Sequence, residues 1–108
     1  MLLIAAIAAL TVSAASSPAP APQPSPTPCS SVNGFHALDF WIGTWRVTSG
    51  GQYGGADTVE SILYGCAVVE NWSDADGSHG MSLFYYNAFE QTWAQVWVTD
   101  RATARGGS

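Results

Sequence analysis

The sequence predicts an all-β fold: an antiparallel up-and-down meander of about five strands, preceded by a short helix and an unstructured N-terminal approach. Three observations carry that prediction. From Cys29 onward, short apolar or alternating runs are broken by glycine and polar turns, which is the texture of a strand meander. All 6 prolines lie within residues 16–28, so none interrupts a strand. The 5 tryptophans, 4 tyrosines and 4 phenylalanines all fall between Phe35 and Trp97, more flat apolar surface than so small a sheet needs merely to close a core.

A chain of 108 residues is at most one small domain. Its formal charge is −5, and its basic residues are Arg46, Arg101 and Arg105, with no lysine. That composition excludes a Walker-type phosphate loop, a Schiff-base lysine and any polybasic patch for nucleic acid or anionic membrane.

Residues 1–15 read as an export signal. The run from Leu2 to Val12 is apolar throughout, too short for a hydrocarbon core of about 30 Å, and followed by the small residues Ser13, Ala14 and Ala15 that a signal peptidase reads. Cleavage after Ala15 is expected, leaving a secreted or periplasmic protein with no further membrane association. Met1 runs straight into Leu2 without the usual Lys or Arg, which leaves open a start further upstream. Residues 16–28, SSPAPAPQPSPTP, form a spacer: proline fixes φ and donates no hydrogen bond, so the segment is expected to be extended, solvated polyproline II. Thr27 and Pro28 before Cys29 do not suit a lipid-anchor signal.

The β domain spans 29–100. Asn33 is placed to cap a short helix or 3₁₀ turn that sets Phe35, Leu38 and Trp41/Ile42 on one face, with Gly43 ending it. Strands are expected at Thr44 to Ser49, Thr58 to Tyr64, Cys66 to Ser73, Gly80 to Tyr86 and Thr92 to Asp100. A glycine-rich turn from Gly50 to Gly55 separates the first two. Residues 101–108 contain no large apolar side chain and are expected to be a disordered tail.

Cys29 and Cys66 are the only cysteines, and an even count behind an export signal predicts a disulfide. His36 and His79 lack metal-ligand spacing, and no metal or other cofactor is expected. Asp74-Ala75-Asp76-Gly77 lacks the flanking acids of a calcium loop, having Trp72 and Leu83 at those places, and reads as a hairpin turn. Asn71-Trp72-Ser73 fits a glycosylation sequon but sits inside a strand.

Alternation in the last strand puts Trp93, Gln95, Trp97 and Thr99 on one face and Ala94, Val96 and Val98 on the other. The third strand groups Val68, Glu70 and Trp72 in the same way. Aromatic walls with a few polar groups suit a small-molecule pocket, and Trp45, Glu70, Trp72, Gln95 and Trp97 are the candidate ligand-binding residues. The competing assignment makes the Ala-Val side the core and the tryptophans an outer ladder.

Three blocks in order, Phe40-Trp41-Ile42-Gly43-Thr44-Trp45-Arg46-Val47, Gly65-Cys66-Ala67-Val68-Val69-Glu70-Asn71-Trp72 and Trp93-Ala94-Gln95-Val96-Trp97-Val98, resemble a family of uncharacterised secreted bacterial proteins with a calycin-type, lipocalin- or nitrobindin-like β-barrel. The resemblance covers about residues 29–100. It implies an up-and-down barrel with a short helix near one mouth, a tryptophan face turned inward, and room for a small apolar or amphipathic ligand. Such barrels have about eight to ten strands, so the chain resembles the N-terminal half of one. The iron ligand of haem-binding relatives belongs to the other half, and haem is not carried over.

Three classes of function follow: a secreted binding module, a fragment without independent function, and a small secreted enzyme. An enzyme needs converging acid–base or nucleophilic groups, and Glu70 is the one carboxylate expected on a tryptophan-bearing face. An open sheet of five strands leaves two edges, so self-association through edge strands is also expected.

Overall fold

The computed structural model describes residues 8–102. Residues 8–28 form neither helix nor strand and are exposed throughout, and in residues 18–28 the alternate prolines without N–H donors dictate this. The expected export signal, residues 1–15, and the expected tail, residues 101–108, each lie partly outside the described residues.

The domain is built on β1 (Gly43–Ser49), β2 (Gln52–Ile62), β3 (Ala67–Asp74), β4 (His79–Asn87) and β5 (Thr92–Thr99). Each strand pairs antiparallel with the next, giving one sheet in the order β1-β2-β3-β4-β5. The all-β meander is therefore as expected. The sheet is open, and β1 and β5 each pair on one side among the described residues.

Three elements differ from expectation. The second strand, expected to run to Tyr64, ends at Ile62, and Leu63–Gly65 form a 3₁₀ turn. In place of the one short helix or 3₁₀ turn expected before the first strand, three separate 3₁₀ turns form, Cys29–Ser31, Asn33–His36 and Asp39–Trp41. The stretch Asn-Gly-Phe-His-Ala-Leu-Asp-Phe-Trp contains few strong helix formers, so packing against the sheet decides its shape. Asn33 is the first residue of its turn rather than a side-chain cap. The third difference is the glycine-rich turn. Gly50 (φ 57°) and Gly51 (φ 78°) reverse the chain on their own, and Gly54 and Gly55 are already inside β2. The pairing steps from Val47↔Gly55 to Thr48↔Tyr53, which makes Gly54 the extra residue of a β-bulge.

Cys29 and Cys66 are bonded, with Cα atoms 5.2 Å apart across a separation of 37 residues. Loop closure of that length restricts the unfolded chain by about 4 kcal/mol in the chain-entropy account. Geometrically, the bond ties the start of the 3₁₀ segment to the turn before β3, where Leu63 (φ 52°), Tyr64 (φ 55°) and Gly65 (φ 86°) are all left-handed.

The 3₁₀ segment crosses one face of the sheet. Phe35 meets Tyr86 edge-on at 5.0 Å between ring centroids, and Trp41 meets Phe84 edge-on at 5.2 Å. Trp93 donates its indole N–H to the Gly34 carbonyl at 3.2 Å. Gly34 has to be glycine here, because the Tyr86 ring occupies the space that a Cβ would fill. Buried apolar residues are few, Val59, Ala67 and Val68, and Asp57 and Ser82 are buried with them.

Candidate functional site

Register places directly paired residues on one face of the sheet. Across the middle of the sheet one row reads Gly43, Val59, Glu70, Ser82, Trp97, and the next reads Trp45, Asp57, Trp72, Gly80, Thr99. Gln95 lies opposite Phe84 in the row on the other side. All five candidate residues, Trp45, Glu70, Trp72, Gln95 and Trp97, therefore share one face, the face that the 3₁₀ segment partly covers. Val69, Met81, Leu83, Val96 and Val98 occupy the other, where Val96 is 45% and Val98 53% exposed.

The two inner tryptophans are held flat by missing side chains. The Trp97 ring occupies the space where Gly80 would carry a Cβ, and Trp72 does the same at Gly55. Each ring thus crosses diagonally onto the glycine of the neighbouring strand. The Trp72 indole also donates to Asp74 Oδ2 at 3.3 Å. Trp45, 43% exposed, is fixed by a 2.7 Å bond from its indole to the Trp41 carbonyl.

Between these rings a polar chain crosses four strands. Gln95 Nε2 donates to Ser82 Oγ at 3.0 Å, and Ser82 Oγ donates to Glu70 Oε1 at 2.8 Å. Ser82 is 1% exposed, so its hydroxyl must bond within the protein, and here it both accepts and donates. At the far end Asp57, 5% exposed, hydrogen-bonds the Glu70 carboxyl. Two carboxyl groups hydrogen-bond only if one keeps a proton. Burial, then the bond to Glu70, then the Glu70 charge push Asp57 up to about 7. Asp57 Oδ1 is buried without a partner, which a neutral acid tolerates far better than a carboxylate.

Asp57 is the residue that the sequence reading missed, and it corrects the expectation that Glu70 is the only carboxylate on a tryptophan-bearing face. Among the described residues no three His, Cys, Asp or Glu side chains converge, so the pair is not part of a larger metal-ligating cluster. Neither histidine joins it: His36 bonds Asp39 and the Ser30 carbonyl, and His79 lies 3.4 Å from Asp100. A proton held near neutrality between two carboxyls, beside three indoles and an amide, can anchor a ligand's polar head or exchange a proton with it.

An open groove of about 600 Å³ lies beside this band, lined by Ile42, Gly43, Thr44, Thr58, Val59, Glu60 and Ser61. It brings a single carboxylate, Glu60, and no aromatic ring, so the converging polar groups and flat walls place the candidate site on the tryptophan face instead. The Asp74–Asp76 loop is a hairpin turn: Asp74 accepts from the Asp76 N–H at 3.0 Å and Asp76 from the Ser78 N–H at 2.8 Å.

Compared with models of protein families, with curated proteins and with solved structures, the chain matches none.

Proposed function

We propose that the tryptophan face binds a small apolar or amphipathic molecule, as one wall of a calycin-type barrel in a secreted or periplasmic protein. The observation that carries this reading is the placement of Trp45, Trp72 and Trp97 around the Asp57–Glu70–Ser82–Gln95 chain on a single face. The rings offer flat apolar area. The polar chain fixes the orientation of a head group that donates to Glu70 or accepts from Gln95. Closure by a second copy, or by further strands, would complete the wall that five strands begin.

Tryptophan fluorescence titrated with dodecanol tests the proposal. The parent protein is expected to show a saturable change, and replacing Trp72 and Trp97 together by alanine to weaken binding by roughly tenfold or more. Unchanged affinity in that double variant would place the ligand elsewhere.

A further inference from the structure

Every donor in the polar chain of the tryptophan face points the same way. Gln95 Nε2 donates to Ser82 Oγ, and the single hydroxyl proton of Ser82 goes to Glu70 Oε1. The chain therefore ends on two carboxyl groups, Glu70 and Asp57, which share one proton and otherwise only accept. One acceptor is left over. Asp57 Oδ1 is buried, on a residue 5% exposed, and receives no hydrogen bond. Neutralising the acid lowers the cost of that orphan without giving it a donor.

No fixed cation answers the pair among the described residues. Arg46 follows Trp45 onto the opposite face, where it lies 4.4 Å from the centre of the Tyr53 ring, and Arg101 stands by Asp76 and Asp100. Of the strands beside Asp57, β1 brings no titratable side chain to this face, and β3 brings Glu70 and Asp74, whose Oδ2 accepts the Trp72 indole N–H. Farther out, Tyr86 of β4 packs edge-on against Phe35, and His36 and Asp39 of the 3₁₀ segment bond each other. What flanks Asp57 instead is aromatic: register sets Trp45 on one side of it and Trp72 on the other. The face of an indole attracts a cation.

Resting on the reading that the tryptophan face takes a small amphipathic molecule, we propose that its head group is a protonated primary amine, seated between Asp57 and Glu70 in place of their shared proton. Three N–H donors on one positive charge match what the pair lacks, one for Asp57 Oδ1 and the others for the free lone pairs of Glu70. Glu70 is half-buried, so the head reaches the pair from its side, and the indoles hold the alkyl tail. A carboxylate or phosphate head meets only acceptors and negative charge, while an alcohol brings one donor and no charge. The exchange balances. The alkylammonium, which keeps its own proton to about pH 10.4, enters with its charge, and the proton between Asp57 and Glu70 leaves to the buffer. The pair goes from one negative charge to two, and the ammonium neutralises the second. Because the pair holds its proton up to about pH 7, affinity rises by up to roughly tenfold per pH unit below that value and levels above it.

Calorimetric titration of the full chain with dodecylamine, at about pH 6 in two buffers of different ionisation enthalpy, counts that proton. About one proton is expected to leave per ligand bound, with an affinity roughly tenfold or more above that of dodecanol, which is expected to release none. Dodecyltrimethylammonium has the same charge and tail but no N–H. It is expected to bind roughly tenfold more weakly than the amine, which separates the site from general attraction to a chain of formal charge −5. Dodecanoate is expected to be weaker still. Carbon NMR of the parent's side-chain carboxyls, which needs no variant, is expected to show Asp57 and Glu70 moving to the carboxylate position as the amine saturates, and Asp57→Asn is expected to abolish the proton release. Saturable dodecanol binding, with no proton released by the amine or with the trimethylammonium or dodecanoate bound as tightly, would overturn the amine assignment and leave the reading of the face standing. Failure of dodecanol and dodecylamine alike would overturn both.

Discussion

At the residue scale, Asp57 decides the most. Its carboxyl is raised from 3.8 to about 7 in the folded protein, by burial first and by Glu70 second, so the native state holds a proton that the unfolded chain releases. The stabilisation is full below the unfolded value and is lost as pH rises through the folded one. Stability is therefore expected to fall by up to about 1.4 kcal/mol per pH unit within that window. His36, raised above 6.5 by its bonds to the Ser30 carbonyl and to Asp39, adds a loss of the same sign at higher pH. Asp76, lowered by the hydroxyl and then the N–H of Ser78, and Asp100, lowered by the N–H of His79, act only at the acid end, where stability is lost as pH falls. Urea unfolding at about pH 4 and about pH 6 isolates Asp57: the parent weakens across this interval and Asp57→Asn stays level. An equal slope in the two proteins would remove the shared proton from the account. Asp57 was illegible in the sequence for a specific reason. Gly54 and Gly55 read as turn residues, which started the second strand at Thr58 and left Asp57 without a face. Gly55 is a glycine because the Trp72 ring lies against it, a contact between strands that no local pattern reveals.

At the element scale, alternation was enough for the strands and not for what joins the face together. The parities of β3 and β5 alone set Glu70 with Trp72 and Gln95 with Trp97, because the side-chain period of a strand is two. The Gln95–Ser82–Glu70 chain needed β4 between them, and the register that brings Ser82 opposite both Glu70 and Trp97 is a product of turn lengths. The N-terminal segment resolves to 3₁₀ turns, not an α-helix, because its shape follows from edge-on packing of Phe35 and Trp41 on Tyr86 and Phe84, a tertiary effect that outweighs weak local propensity. The outer edges of β1 and β5 present N–H and C=O groups that want a partner. Sedimentation of the full chain is expected to show concentration-dependent association through those edges. A monomer at every concentration, with a cooperative melt, would show that five strands suffice alone.

At the scale of the whole molecule, the sheet is polarised in two directions. Along the strands, an end with the exposed Phe40, Leu63, Tyr64 and Phe89 opposes one with Asp76, His79, Asp100 and Arg101. Through the sheet, a face of indoles around the buried Asp57 and half-buried Glu70 opposes a face of Met81, Leu83, Tyr85, Val96 and Val98 that is roughly half exposed. Both faces carry apolar surface, so burial alone does not nominate a site; the polar chain from Gln95 to Asp57 is what separates them. The most direct measurement is therefore a two-face map, a heteronuclear NMR titration of the protein with dodecanol that follows indole N–H, side-chain amide and methyl signals together. The account predicts that the indoles of Trp45, Trp72 and Trp97 and the amide of Gln95 shift with one saturable curve, while the methyls of Met81, Leu83, Val96 and Val98 stay in place. Saturable shifts of those methyls, with the indoles unmoved, would contradict it.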